Sequence, residues 1–105
     1  MDKIISEIRK IREDREWGIF HTPENLAKSI SIEAGELLEH FQWDNEFKLE
    51  EASDELADIM IYCLYMADSL NVSIEDIMNA KIQKNKAKYP VERTKGNSKK
   101  YTEFE

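Results

Sequence analysis

Apolar residues recur at three- and four-residue intervals along most of this 105-residue chain, and the places where that rhythm breaks carry turn or cap signals. Over residues 2–16, Ile4, Ile8 and Ile11 share one face and predict a first helix with a soft end. Thr22 and Pro23 predict a fresh start: a threonine oxygen caps free amides, proline fits the first helical position, and Glu24 suits the positive end of the helix dipole. This second helix carries Leu26, Ile30, Leu37 and Phe41 as its stripe and is expected to stop near Trp43. A third is expected over about 46–70, with Leu56, Ile59, Cys63, Met66 and Leu70 inward. Ser73, with Asp76 three residues on, predicts the cap of a fourth helix that runs to about Tyr89, where Pro90 ends it. Short connections between periodic helices predict an all-α, antiparallel four-helix bundle. Residues 1–90 form its domain and residues 91–105 a polar, basic C-terminal arm.

Composition agrees with helices. Only 3 Gly and 2 Pro interrupt the chain, and 41% hydrophobic against 35% charged residues suits a water-facing helical protein rather than a sandwich, barrel or disordered tail. No apolar run approaches the roughly 20 residues that span a bilayer, and "MDKIISEIRK" lacks a signal peptide's apolar segment, so no membrane partner and a cytoplasmic location are expected. Cys63 has no second cysteine to pair with and makes no zinc motif; a reduced core thiol is the expectation.

Charge divides the chain unequally. The net −7 is the sum of −12 over residues 1–80 and +5 over residues 81–105. An acidic body would repel duplex nucleic acid, whereas acids beside a basic segment suit a cation carrying phosphates. Solvated surface would produce the same division.

Two stretches break the ordinary amphipathic pattern. "SIEAGELLEHFQW" sets Glu33 and Glu36 three residues apart beside the apolar stripe, and "EEASDELADIMIY" does the same with Glu55 and Asp58. Residues so spaced share one ridge of a helix, so two packed helices would turn four acids toward one volume, with Tyr62 a turn beyond Asp58. Mutual repulsion calls for a positive partner. Hard oxygen donors without ligating Cys or His favour Mg2+, with Mn2+ second, over Zn2+. A di-iron centre needs the Glu-x-x-His spacing, which His40, four residues after Glu36, does not supply. Glu39 and Glu51 lie close by, so spacing alone leaves the ligand set open, and solvated helix acids remain the plainer reading.

Lys81 and Asn85 fall on the apolar face of the fourth helix, where a polyphosphate would give them partners; an open helix end would also tolerate them. Trp17, Phe20, His21 and Trp43 flank the second helix, and such rings either stack on a nucleobase or fill a core or interface.

These residues resemble the MazG-like all-α nucleoside triphosphate pyrophosphohydrolases, most closely the dCTP pyrophosphatase type. The resemblance rests on "REWGIFHTPENLAKSISIEAGELLEHFQW", "DELADIMIYCLYMA", "KNKAKYP" and "SKKYTE", which cover most of the chain in order. It implies homodimers, often paired into homotetramers, with sites where subunits meet, and hydrolysis of a nucleoside triphosphate to the monophosphate and pyrophosphate. Glu33, Glu36, Glu55 and Asp58 would then hold Mg2+; Trp17, Trp43 and Tyr62, with His21 nearby, would line the nucleoside pocket; Lys81, Asn85, Lys88 and Tyr89 would meet phosphates or sugar. Glu36 is the expected catalytic carboxylate, orienting or deprotonating the attacking water. Vertebrate members place a histidine where Ile8 stands, so the resemblance leaves this chain's base preference open. The rival expectation is a non-catalytic helical adaptor or sensor that binds a metal–nucleotide complex without cutting it.

Overall fold

A computed structural model describes residues 1–43 and 46–96, and every regular element in them is helical. The order is α1 (Asp2–Asp14), a 3-10 turn (Trp17–Phe20), α2 (Pro23–Glu39), α3 (Leu49–Ser69), α4 (Ile74–Lys88) and the short α5 (Val91–Thr94). The expected all-α fold with four main helices is thus present. Two compact units divide the chain, Met1–Val72 and Ser73–Glu105. Each is described by itself.

Local chemistry fixes the helix ends. Thr22 Oγ1 accepts from the Asn25 amide at 3.2 Å with Pro23 in the first turn, and Ser73 Oγ accepts from the Asp76 amide at 3.3 Å, so both predicted caps are present. α1 stops at Asp14 rather than residue 16 because Glu16 takes a left-handed conformation, φ 54°, which an α-helix cannot contain. α2 ends at Glu39, short of the expected Trp43. The amides of His40, Phe41 and Gln42 donate to Leu37, Leu38 and Glu39 at 3.2, 3.0 and 3.3 Å, tightening the chain into i to i−3 turns. α3 starts at Leu49, with Glu50 and Glu51 in its first turn, and closes in a Schellman motif: Asn71 is left-handed at φ 56°, while Val72 and Asn71 donate to Ala67 and Asp68, each at 3.0 Å. Val91–Thr94 adds one helical turn to the expected arm; its "SKKYTE" segment lies outside the described residues.

In the first unit α2 packs chiefly on α3, while α1 touches α3 and the 3-10 turn. The buried residues are Ile8, Leu26, Ala52, Leu64, Tyr65 and Ala67. The stripe expected of α3 therefore needs correcting. Leu56 and Leu70 are each 53% exposed, and Ile59, Cys63 and Met66 are half-buried. α3 is apolar over more than one face, and its close approach uses small Ala52 and Ala67 with the Tyr65 ring, a choice that periodicity of bulky residues does not reveal. Ile8 and Leu26 hold their predicted places, whereas Ile4, Ile11 and Phe41 of the same stripes are largely exposed.

Candidate functional site

Two polar ridges face each other where α2 meets α3. On α2, Asn25, Ser29 and Glu33 step four residues at a time, a spacing that stacks side chains on one helix face; on α3, Asp58, Tyr62 and Tyr65 do so at four and three. Both ridges line one cleft of about 600 Å³. The remaining wall comes from α1 and the 3-10 turn, through Ile8, Ile11, Trp17, Phe20 and His21.

The acids gather at one side of this cleft. Glu33, Glu55 and Asp58 each offer a carboxylate oxygen, all within 4.8 Å of one another. Glu33 Oε2 and Glu55 Oε2 are buried with no hydrogen-bond partner. Ionised carboxylates are acceptors only, so neither can satisfy the other. The Glu55 carboxyl group beside it holds the Glu33 carboxyl above its ordinary range, and Glu33 does the same to Glu36. One hard cation, with oxygen ligands at about 2.0–2.6 Å, would satisfy the orphaned oxygens and cancel the repulsion, and the all-oxygen set suits Mg2+ or Mn2+. The residues present fit such an ion. Glu36, half-buried, meets the cluster through Glu33 rather than as one of the three gathered oxygens.

The aromatic side is built around His21. Its ring lies 4.4 Å from that of Tyr65, tilted by 49°. Burial, helped by the nearby Arg12 cation, pushes the imidazole below its ordinary pKa, so it is neutral at pH 7; its Nδ1 is buried without a partner. Asn25 Nδ2 donates to the Phe20 carbonyl at 3.1 Å, tying the 3-10 turn to α2.

Trp17, His21, Glu33, Asp58 and Tyr62 therefore meet at one cleft, and Glu55 joins through the acid cluster. Trp43 does not: it is 86% exposed and lies outside the cleft lining. Lys81, Asn85 and Lys88 are exposed along α4, and Tyr89 caps that helix with its amide donating to the Asn85 carbonyl at 2.9 Å. They belong to the second unit. Tyr65, Asn25 and Ser29 are cleft residues that the sequence reading did not single out, although their four- and three-residue steps from Glu33 and Tyr62 placed them on the same ridges.

Residues 28–104 match the model of the MazG-like family. The chain is 31% identical over 114 aligned positions to dCTP pyrophosphatase 1 of Mus musculus, spanning 95% of this chain and 67% of that one. The corresponding protein of Bos taurus is 32% identical, with 68% of its length covered. The crystal structure of a pyrophosphatase from Archaeoglobus fulgidus superposes with a TM-score of 0.80 at 37% identity, over 86% of this chain and 92% of that one.

Proposed function

This chain belongs to the MazG-like family, and from that premise we propose that it is a Mg2+-dependent nucleoside triphosphate pyrophosphohydrolase, releasing the monophosphate and pyrophosphate. One observation carries the reading: an acid cluster with orphaned oxygens opens into a cleft lined by Trp17, His21 and Tyr62. Carboxylates for a cation and rings for a base, side by side, are what a metal–nucleotide complex needs. The names of the similar proteins support a pyrophosphatase acting on dCTP or a related pyrimidine deoxynucleotide.

In this reading Glu33, Glu55 and Asp58, with Glu36 beside them, hold the ion. When bound there, Mg2+ supplies charge neutralisation for the phosphate oxygens and acidifies a water. Phosphoryl transfer asks the protein mainly for positioning and charge stabilisation. Trp17 and Tyr62 flank the nucleoside, and neutral His21 offers it a ring nitrogen. Glu36, not among the three gathered oxygens, takes the proton of the attacking water at a carboxylate oxygen. Lys81, Asn85, Lys88 and Tyr89 meet phosphates or sugar, residues 1–90 acting as one catalytic domain and 91–105 as its basic arm.

Exposed apolar side chains on the first unit support a homodimer or homotetramer. Ile32, Leu38, Leu56 and Met60 are 61%, 67%, 53% and 44% exposed. Trp43, outside the cleft of its own chain, would reach a nucleoside only from a second copy. Cys63, with no partner cysteine, suits a reducing compartment such as the cytoplasm; among the described residues no helix is long and apolar enough to cross a membrane.

The test is incubation with a panel of nucleoside triphosphates and Mg2+, reading monophosphate and pyrophosphate. Pyrimidine deoxynucleotides are expected to turn over fastest. Binding without any product would leave an adaptor or sensor, and release of inorganic phosphate in place of pyrophosphate would overturn the bond assignment.

A further inference from the structure

The apolar hold on α1 is thin. Ile8 is its one buried residue, while Ile4 and Ile11 remain 49% and 40% exposed. Polar contacts to α3 do the rest. Tyr65 Oη donates to the Ile8 carbonyl at 2.6 Å, and Asp68 accepts from Arg9 Nε and Nη2 at 2.9 and 2.7 Å and from Arg12 Nη1 at 3.0 Å. The Arg12 guanidinium also lies 5.8 Å from the centre of the Tyr65 ring, whose other ring neighbour is His21 at 4.4 Å.

This clasp and the cleft share parts. Tyr65 is only 4% exposed, and its ring lines the cleft beside His21 and Ile8, while its hydroxyl is spent on the Ile8 backbone. Asp68, Arg9 and Arg12 lie outside the cleft lining. Asp68 therefore does not touch a ligand in the cleft; it acts there through the placement of α1 and of Tyr65 and through the Arg12 charge beside His21.

We propose that Tyr65 is a positioning residue for nucleotide binding, fixing the α1 wall and the His21 ring, and that Asp68 acts with it by anchoring Arg9 and Arg12. The proposal rests on the nucleotide reading of the cleft. A pre-set wall spares the ligand the cost of ordering it, and this benefit is felt alike by bound substrate and transition state. Loosening the wall should then raise KM and leave kcat in place. A tie that merely stabilises the fold would lower the melting temperature and leave KM alone wherever the protein stays folded.

Tyr65→Phe keeps the ring and deletes the hydroxyl; Asp68→Asn weakens the anchor without touching the cleft. Both are assayed as full chains with Mg2+ and whichever of the common deoxynucleoside triphosphates the wild type turns over fastest. KM is expected to rise roughly three- to tenfold in each, the range of one hydrogen bond, with kcat within about twofold. Unchanged KM in folded variants, whatever their melting temperatures, overturns the clasp while leaving the enzyme reading intact. If Tyr65→Phe proves unfolded by circular dichroism, the KM of Asp68→Asn decides alone. A wild type that turns over no triphosphate removes the nucleotide reading and this proposal with it.

Discussion

Arg12 Nη1 donates to Asp68 Oδ2 at 3.0 Å, with the two side chains 19% and 18% exposed. Arg9 adds a two-pronged contact to the same carboxylate, and these hydrogen bonds, Arg9's first, hold Asp68 below the ordinary carboxylate range. In the unfolded chain Asp68 regains a pKa near 3.9 and takes up its proton first as pH falls. Its contribution to stability is therefore fully present above about pH 4 and disappears as pH drops through the lower, folded value. Urea unfolding of the wild type at a series of pH values should show stability falling in that acid window. Asp68→Asn should cost about 1–3 kcal/mol at pH 7 and flatten the acid limb. An unaltered acid limb in the variant would assign the loss to other groups.

The opposite sign holds for the acid cluster. Glu33 and Glu36 are raised by their neighbours, so without a cation they favour the folded state below the unfolded carboxylate pKa and lose that advantage as pH climbs through the folded one. At neutral pH the ion-free cluster is a source of repulsion. Glu33→Gln should therefore melt no lower than wild type in EDTA, and higher if the repulsion dominates the loss of packing. Added Mg2+ should raise the wild-type melting temperature by mass action and leave the variant nearly unmoved. An equal Mg2+ response in both proteins would remove Glu33 from the ligand set.

The four main helices, both side-chain caps and the nearness of Glu33, Glu55 and Asp58 were legible because they rest on local rules: period, capping oxygens and three-residue spacing on a ridge; the 3-10 turn, the short α5 and the place of Glu36 outside that trio were not. The choice of α3's buried face was not, since Leu56 and Met66 score as well by period as Leu64 and Tyr65, and only the partner helix decides between them. The early end of α2 escaped for a related reason: His40, Phe41 and Gln42 carry no breaker, so nothing local in the sequence announces their i to i−3 turns. Tyr65 shows the sharper limit. Its ridge position could be counted from Tyr62, but its hydrogen bond to Ile8, 57 residues away, is a product of packing.

Replacing Glu36 would separate catalysis from ligation. It stands beside Glu33 yet outside the trio of gathered oxygens. A proton acceptor typically contributes 100-fold or more, about 10²–10⁴, to the step it serves. Glu36→Gln should lower kcat by about that factor while Mg2+ still stabilises the protein and KM changes little, as read from pyrophosphate release and thermal melts. A fall in metal response equal to that of Glu33→Gln would make Glu36 a ligand first. Near wild-type turnover would deny it both roles.

The two tryptophans should behave differently. Trp17 lines the cleft with Arg15 stacked over its ring, the guanidinium carbon 5.6 Å from the ring centre, so it can meet a base within one chain. Trp17→Ala should weaken nucleotide binding by about 1–3 kcal/mol, the range of base–aromatic stacking, at every protein concentration. Trp43, 86% exposed and outside that lining, can act on a nucleoside only where a second copy brings it close. The wild-type KM should then rise on dilution from micromolar to nanomolar protein, in step with dissociation followed by sedimentation. Trp43→Ala should show the raised KM throughout, without the dependence. A wild-type KM that stays constant across that dilution would confine Trp43 to the surface and make the cleft of a single chain sufficient for binding.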